Sequence, residues 1–318
     1  MKVNYIILLV GFFLLIKGAD IFVDGASSIA KKIGIPSVIV GLTIVSIGTS
    51  APELSVSIVS ALQGTNELVI GNVLGSNIFN TLVVLGGTAL AAPIVFKKVT
   101  IKRDFIVNTV IAVLSYFLTF AFTVGVDGEL SKLDGLLLLL ICIVYMGALV
   151  KVSIKDGVKE ENSSEIKVLS NLVRIFAGIA GIVIGGNLVV DSATAIALSL
   201  NMSEKLVGLT IVAMGTSLPE LVTSVVAALK GEKEIALGNV LGSNIFNLLL
   251  ILGASSAINP CIVASSLRVD FIFFIVITIL IGISIFFNKK EEKKIGRIEG
   301  ITYLAVYAAY LAYIVIRG

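Results

Sequence analysis

Two glutamates stand in repeated, otherwise apolar stretches of this chain, GTSAPEL at residues 48–54 and GTSLPEL at residues 215–221. The motifs are 167 residues apart, and the 46-residue segments around them match at 30 positions. An ionised side chain in the middle of a bilayer costs from about 3 to more than 10 kcal/mol, so it is retained mainly beside a cavity or a counter-ion. Neither motif contains Lys or Arg. The expected counter-ion of Glu53 and Glu220 is therefore a mobile cation.

Hydroxyl and amide side chains repeat together with the glutamates. Helical spacing places Thr and Ser on the same face as each carboxylate. In the span that follows each motif, Asn and Ser recur every four residues, which also suits hydrogen bonding between helices. We expect both roles. The residues concerned are Thr49, Ser50, Asn72, Ser76 and Asn80 in the first copy and Thr216, Ser217, Asn239, Ser243 and Asn247 in the second.

A proline precedes each glutamate. A proline inside a helix lacks the N–H group that would bond the carbonyl four residues back. Pro52 and Pro219 should therefore free the carbonyls of Gly48 and Gly215, and the glycines loosen the same turn. A free carbonyl in hydrocarbon needs a partner, and a bound cation is one. An ordinary proline kink is the alternative interpretation.

The types of donor atom restrict the ions that such a site could hold. The chain has no His and only two Cys, so a transition-metal site built from His or Cys is excluded. Ca²⁺ takes about six to eight oxygens, whereas Mg²⁺ keeps its waters and requires a strict octahedron. Two carboxylates balance one Ca²⁺, and the neutral oxygens suit Na⁺. Protons compete for the same carboxylates. No cofactor is expected.

The composition is that of a membrane protein with many spans. Hydrophobic residues make up 57% and charged residues 14% of 318 residues, and the mean hydropathy is +1.07. Runs of about 20 apolar residues are long enough to cross a bilayer as helices. We therefore predict an all-α fold in the lipid bilayer, without nucleic-acid or obligatory protein partners. The ten predicted spans cover residues 4–30, 36–62, 67–93, 104–124, 134–152, 170–200, 203–229, 234–257, 269–287 and 297–316.

The repeat has a predicted inverted topology. Residues 1–152 and 169–318 each contain five spans, and the polar stretch 153–168 joins them. Because five is odd, corresponding spans cross the membrane in opposite directions. With both termini outside, 18 Lys and Arg face the cytoplasm and five face outward, as the positive-inside rule requires in a plasma membrane. Inverted repeats with interrupted helices place a substrate site near the midplane and suit alternating access.

The paired motifs, each followed by GNVLGSNIFN, resemble the two alpha-repeats of the calcium/cation antiporter superfamily, most closely its sodium/calcium exchanger branch. The resemblance covers the whole chain. It implies ten transmembrane helices, an outside N-terminus and exchange of Na⁺ for Ca²⁺, commonly three for one. The connection 153–168 is too short for the cytosolic calcium-sensing insertion of animal exchangers, which suggests a microbial protein.

The resemblance also implies a set of ion ligands. The calcium ligands fall on Glu53 and Glu220 with the backbone carbonyls of Thr49 and Thr216. The sodium ligands fall on the same glutamates, on Ser50, Ser76, Ser217 and Ser243, and on the backbone near Ser46 and Ala213. Asn80 lies against this site. Some members, notably the potassium-dependent exchangers, carry Asp where this chain has Asn247, so the resemblance implies transport without potassium.

Three other functions compete with this interpretation. A cation/proton antiporter shares the repeated acidic motif. An ion channel also needs oxygen-lined cation sites, although inverted repeats argue against it. An intramembrane enzyme with two catalytic carboxylates leaves the Thr-Ser and Asn-Ser patterns without a role, so we expect no enzyme activity.

Overall fold

The structure is a computed structural model that describes residues 2–121, 126–156, 168–200, 213–287 and 292–317. It is mostly helical. The α-helices are Lys2–Ile33, Ser37–Val40, Ser46–Thr49, Ala51–Gln63, Asn66–Phe79, Leu85–Ala91, Lys98–Phe120, Lys132–Asp156, Val168–Ser199, Ala213–Gly215, Leu218–Leu229, Lys233–Phe246, Leu252–Ile258, Arg268–Phe286 and Arg297–Arg317. Wider π-helical turns occupy Gly41–Val45, Asn80–Val84 and Asn247–Ile251, and a short 3-10 turn occupies Ser265–Leu267.

Eight helices in the described residues are long and apolar enough to cross a membrane, and a bent pair makes nine. The bent pair is Ser37–Thr49 with Ala51–Gln63, which meet at 50°. These nine coincide with nine of the ten predicted spans. The remaining predicted span, 203–229, begins outside the described residues, and its described end contains the apolar helix Leu218–Leu229. The prediction of a helical protein with many membrane spans is confirmed.

Four helices matter most for the repeated motifs. We call Ala51–Gln63 and Leu218–Leu229 the first and second acidic helices, because they carry the two glutamates. We call Asn66–Phe79 and Lys233–Phe246 the first and second amide helices. A glycine with positive φ stands in each turn between them, Gly64 at 75° and Gly231 at 84°. These two glycines are also 167 residues apart, so the repeat extends to the geometry of the turns.

The amide helices lie at the centre of the molecule. In the span that contains the second amide helix, 94% of the most apolar stretch is buried inside the protein. The corresponding share in the last span, Arg297–Arg317, is 17%. A central helix is surrounded by other helices, whereas a peripheral one exposes its apolar side chains, which suits contact with lipid. A π-helical turn follows each amide helix and begins at Asn80 and Asn247. Such turns interrupt the regular helical hydrogen bonding and often occur at functional sites.

Two small antiparallel sheets join connections that are distant in sequence. Ile94–Lys97 pairs with Glu292–Ile295, and Gly128–Leu130 pairs with Cys261–Val263. The all-α prediction did not include them. Strands of three or four residues are too short to show an alternating pattern, and only the folded chain brings their partners together.

Glycines allow the first span, Lys2–Ile33, and the sixth, Val168–Ser199, to pack in close contact. A Cβ atom built on Gly185 would stand 2.5 Å from the backbone nitrogen of Leu15, and one on Gly18 would stand 2.7 Å from that of Ile182. Small residues let helix backbones approach in a membrane, where packing holds helices together. The first span also forms an ion pair with Lys230, whose Nζ lies 2.6 Å from Asp24 Oδ1. The predicted topology places this end of the span on the cytoplasmic side.

Candidate ion-binding site

Both glutamates lie at the first turn of a helix that starts after a break. The preceding helices end at Thr49 and Gly215, and Ser50 and Ser217 adopt non-helical backbone angles, with φ −82° and ψ 10° and with φ −92° and ψ 5°. A proline stands within the first two positions of each acidic helix, where its missing N–H costs least. The repeated motif therefore divides the span into two separate helices. A simple proline kink, the alternative interpretation, would have left one continuous helix.

Each break exposes polar backbone groups. The carbonyls of Gly48 and Gly215 have no N–H donor four residues later, because Pro52 and Pro219 stand there. The last carbonyls of a helix carry partial negative charge, which favours a nearby cation. The broken spans therefore present carbonyl oxygens at the same depth as the carboxylates.

The two halves hold each other's carboxylate by reciprocal hydrogen bonds. Ser217 Oγ donates to Glu53 Oε1 at 3.1 Å, and Ser50 Oγ donates to Glu220 Oε1 at 2.8 Å. All four side chains are buried, and both glutamates are 0% exposed. Ser243 Oγ also lies 3.5 Å from Glu220 Oε1. The structure thus places each glutamate beside a serine of the other half, which is the contact that one site shared by both halves would need.

The repeated asparagines fasten each amide helix to the neighbouring acidic helix. Asn72 Nδ2 donates to the backbone carbonyl of Glu53 at 3.1 Å and to Ser57 Oγ at 2.9 Å. Asn239 Nδ2 makes the equivalent bonds to the carbonyl of Glu220 at 3.4 Å and to Ser224 Oγ at 2.9 Å. These asparagines position the acidic helices. Their predicted role as hydrogen-bond links between helices is present in this geometry.

The threonine hydroxyls complete the same links across the repeat. Thr49 Oγ1 donates to Asn239 Oδ1 at 3.1 Å, and Thr216 Oγ1 donates to Asn72 Oδ1 at 3.4 Å. These hydroxyls therefore link the two halves, while the resemblance implies the backbone carbonyls of the same threonines as the ion ligands.

The backbone positions predicted near Ser46 and Ala213 lie on the first arms of the broken spans. The carbonyl of Ser46 accepts from the N–H of Ser50 at 2.9 Å and also lies 3.3 Å from Thr49 Oγ1. Ala213 begins the short helix that ends at Gly215, and residues 201–212 before it lie outside the described part of the chain.

Several buried oxygens in this region have no hydrogen-bond partner. A buried polar atom without a partner is costly, so each one requires an explanation. Two belong to the carboxylates, and the others lie on or directly after the amide helices. The atoms are Glu53 Oε2, Glu220 Oε2, Ser76 Oγ, Asn80 Oδ1 and Asn247 Oδ1.

This arrangement has the chemistry of a hard-cation site. The five unpaired side-chain oxygens and the two carbonyls that face a proline are all oxygen donors, the type of ligand that Ca²⁺ takes. Neither glutamate forms an ion pair with a basic residue in the described part of the chain. The same residues contain no cluster of three or more His, Cys, Asp or Glu. Neutral oxygens must therefore complete any metal coordination.

Sequence reasoning missed Asn77, which positions a residue of this site. Asn247 Nδ2 donates to Asn77 Oδ1 at 2.9 Å, and this bond leaves Asn247 Oδ1 without a partner. Asn77 Nδ2 in turn donates to the backbone carbonyl of Asn244 at 3.2 Å. The signal was present, since Asn77 and Asn244 occupy equivalent places in the two GSNIFN segments.

Two buried aspartates outside the site were also missed. Asp104 accepts from Tyr145 at 3.1 Å and from Arg103, while Asp270 accepts from Tyr310 at 3.0 Å. Arg317 also bonds Asp270, at 2.8 Å. Each aspartate has both an arginine and a tyrosine, so these carboxylates are satisfied within the protein and join neighbouring spans.

Comparison with known proteins identifies the family of this chain. The model of the family described as "Sodium/calcium exchanger protein" matches residues 3–151 and 170–316. The chain belongs to the sodium/calcium exchanger family. The predicted membership of the calcium/cation antiporter superfamily, sodium/calcium exchanger branch, is confirmed, and members of this family are transporters.

Relatives and solved structures resemble this chain over nearly its full length. It is 40% identical to the putative antiporter CaxA of Alkalimonas amylolytica, with 98% of each chain covered. It is 37% identical to the sodium/calcium exchanger MaX1 of Methanosarcina acetivorans, with 97% of each covered. Its structure is similar to that of the sodium-calcium exchanger NCX_Mj at zero Na⁺ and Ca²⁺, with a TM-score of 0.83, 33% identity and 98% of each chain covered. This family-wide likeness supports cation antiport.

Proposed function

We propose that this protein is a secondary antiporter that exchanges Na⁺ for Ca²⁺ by alternating access, moves net charge and does not require potassium. The single observation that carries the proposal is the buried pair Glu53 and Glu220. Each has an unpaired oxygen, and neither has a basic partner in the described part of the chain. Two buried negative charges that are held by hydroxyls alone require cations to balance them.

The geometry favours ions that share and compete for one site. Each carboxylate contacts a serine of the opposite repeat, so an ion bound by one glutamate lies beside oxygens of the other half. One Ca²⁺ neutralises both carboxylates, and monovalent ions can use the same carboxylates with hydroxyl and amide oxygens. Bound Ca²⁺ and bound Na⁺ then exclude each other, which is the condition for coupled exchange. If three Na⁺ exchange for one Ca²⁺, each cycle moves one net charge.

Asn247 limits the charge of this site. Its side chain is buried and neutral, and its Oδ1 is an unpaired acceptor. An aspartate there would add a third negative charge for a further cation. We therefore infer that transport proceeds without potassium.

The two small sheets support a topology of ten spans. The paired strands Gly128–Leu130 and Cys261–Val263 must lie on one side of the membrane, so an even number of spans separates them. The described spans between them are 132–153, 169–199 and 233–258. A fourth crossing makes the number even, and we infer that it includes the apolar helix Leu218–Leu229.

The same parity argument applies to the other sheet. Five described spans lie between Ile94–Lys97 and Glu292–Ile295, and these strands also pair. A crossing by the segment before residue 232 makes the number even. We infer ten spans in two inverted repeats, residues 1–152 and 169–318, with residues 153–168 as the cytoplasmic connection. The family match skips residues 152–169, which agrees with this division. Charge asymmetry favours external termini in a plasma membrane.

Exchange of a divalent cation for protons is the second candidate. Protons can neutralise the same two carboxylates, and the relative CaxA is named as a putative antiporter without a stated ion. The hydroxyl and amide oxygens favour Na⁺, because protons do not need them. In exchange for protons the amide oxygens of Asn80 and Asn247 would serve the divalent cation only, whereas in exchange for sodium they can serve both ions.

Uptake of radiolabelled Ca²⁺ into Na⁺-loaded proteoliposomes tests the proposal. We expect uptake that saturates with Ca²⁺, requires internal Na⁺ and persists when choline replaces potassium. Uptake driven equally by a pH gradient without Na⁺ would identify the proton antiporter, and flux without any counter-ion would identify a channel. In separate vesicles, a potential set with valinomycin should change the rate. A rate that is independent of potential would refute net charge movement.

A further inference from the structure

A small buried cavity lies away from the two glutamates, among the third, fourth, eighth and ninth predicted spans. It leaves about 10 Å³ for the centre of a water molecule, about the minimum that one water requires. All of its lining side chains are buried. Most are apolar, and the polar ones are Thr81, Asn108, Asn244 and Thr278.

Three of these polar residues have an atom without a partner. Asn108 Oδ1, Asn244 Oδ1 and Thr278 Oγ1 are buried and form no hydrogen bond. The residues themselves are at most 1% exposed. The amide nitrogen of Asn244 donates to Thr81 Oγ1 at 2.9 Å. This bond fixes the orientation of the amide, so Oδ1 is the free acceptor. Leaving such a group unsatisfied is costly, so three of them around one cavity call for an occupant.

The other half of the molecule does not repeat this polar lining. Asp104 and Asp270, which each bond a tyrosine, mark equivalent places in the fourth and ninth spans. Counted from these aspartates, Phe274 is the equivalent of Asn108, and Ala112 is the equivalent of Thr278. Both are fully buried. A large apolar ring therefore occupies in one half the position that carries an unpaired amide in the other.

We propose that this cavity is a binding site for one water molecule. A water has two hydrogens to donate and two lone pairs to accept with. It can donate to the free oxygens of Asn108 and Asn244 and accept from the hydroxyl of Thr278, which satisfies all three. Three hydrogen bonds are typical of a buried water. The site is separate from the glutamate pair, and the inference does not depend on the proposed exchange.

The lining favours water over a cation. The described residues that line the cavity include no carboxylate, so an ion there would be a buried charge without a counter-charge among them. The cavity also offers only a few neutral oxygens. Burial of an uncompensated ion is costly, whereas a neutral water loses little.

Radiolytic footprinting of the purified full-length protein tests the site. A brief X-ray pulse makes hydroxyl radicals from water, and mass spectrometry then locates the side chains that were next to it. Leu241 and Phe105 line the cavity and should be modified despite their burial. Leu15 is the control, because it is fully buried and lies in the close contact between the first and sixth spans. Samples are compared in sodium and choline salts.

The variant Asn108→Phe copies the residue of the other half and fills the cavity. We expect modification of Leu241 to fall to the level of Leu15 in this variant. The variant Thr278→Val keeps the shape and removes one hydrogen bond, so modification should weaken. If Asn108→Phe does not fold, the comparison of Leu241 with Leu15 in the unaltered protein decides. Equal modification of these two leucines would overturn the proposal. So would modification that appears only when Na⁺ is absent, because sodium would then be the occupant.

Discussion

Replacing Glu53 by Gln isolates the charge of one carboxylate with little change of shape. In the unaltered protein Ser217 Oγ donates to Glu53 Oε1 at 3.1 Å. Gln keeps an oxygen that can accept the same hydrogen bond. It converts the unpaired Oε2 into an N–H donor, which repels a cation. Removing one member of a buried charge pair costs about 3–5 kcal/mol. At about 1.4 kcal/mol per tenfold, apparent Ca²⁺ affinity should fall by about a hundredfold to a few thousandfold.

Initial rates of Ca²⁺ uptake into Na⁺-loaded proteoliposomes, measured over a wide Ca²⁺ range, check this magnitude. The variant Glu220→Gln should lose as much apparent Ca²⁺ affinity, because Glu220 has the reciprocal contact with Ser50. Glu129→Gln is the control. Glu129 is an exposed carboxylate on a short strand, and its replacement should leave the apparent affinity unchanged. An unaltered apparent Ca²⁺ affinity in Glu53→Gln would refute the two-carboxylate site.

Three further substitutions test separate parts of the structure. Ser50→Ala removes a charge-assisted hydrogen bond worth about 1.5–3 kcal/mol, so the Na⁺ concentration for half-maximal exchange should rise by about tenfold to a hundredfold. Asn77→Leu removes the acceptor that orients Asn247, so apparent ion affinity should fall while the protein remains folded. Gly185→Ala forces a Cβ into a gap of 2.5 Å. Overpacking of this kind costs about 1–3 kcal/mol, which should lower the Tm of the purified protein.

Each of these substitutions has a matched control. Ser284 bonds a carbonyl of its own helix, so Ser284→Ala should leave Na⁺ dependence unchanged; an equal effect of both serines would contradict the first prediction. Asn77→Asp keeps an acceptor for Asn247 and should restore affinity better than Asn77→Leu; the opposite order would contradict a positioning role. A Cβ on Gly147 meets nothing within 4 Å, so an equal loss of Tm in Gly147→Ala would contradict the packing argument.

Much of the fold and the candidate site follows from residue types and spacing. Long apolar runs predict spans because lipid cannot satisfy backbone polar groups. The repeated Pro-Glu motif predicts a broken helix that carries a buried charge. Both features are local, and the structure has them where the pattern indicates. The two short sheets are different, since their strands lie far apart in the chain and lack a pattern of their own.

The contacts that each residue of the candidate site makes depend on the folded chain. The motif identifies Ser50 and Ser217, but their exchange of partners across the repeat depends on how the two broken spans meet. Asn77 is one residue from the predicted Ser76, and it faces Asn247 only because two central helices cross there. A contact between the two repeats leaves no signature in a single sequence.

The sequence by itself determined the membrane class, the duplication and the chemical type of the site, because hydropathy, repetition and oxygen-bearing side chains are properties of the chain. Tertiary structure alone decided which oxygens remain unpaired. Asn72 and Asn239 use their amides to hold the acidic helices, whereas Asn80 and Asn247 keep free oxygens. The four have the same chemistry in sequence. They differ because hydrogen bonding depends on the neighbours that packing supplies.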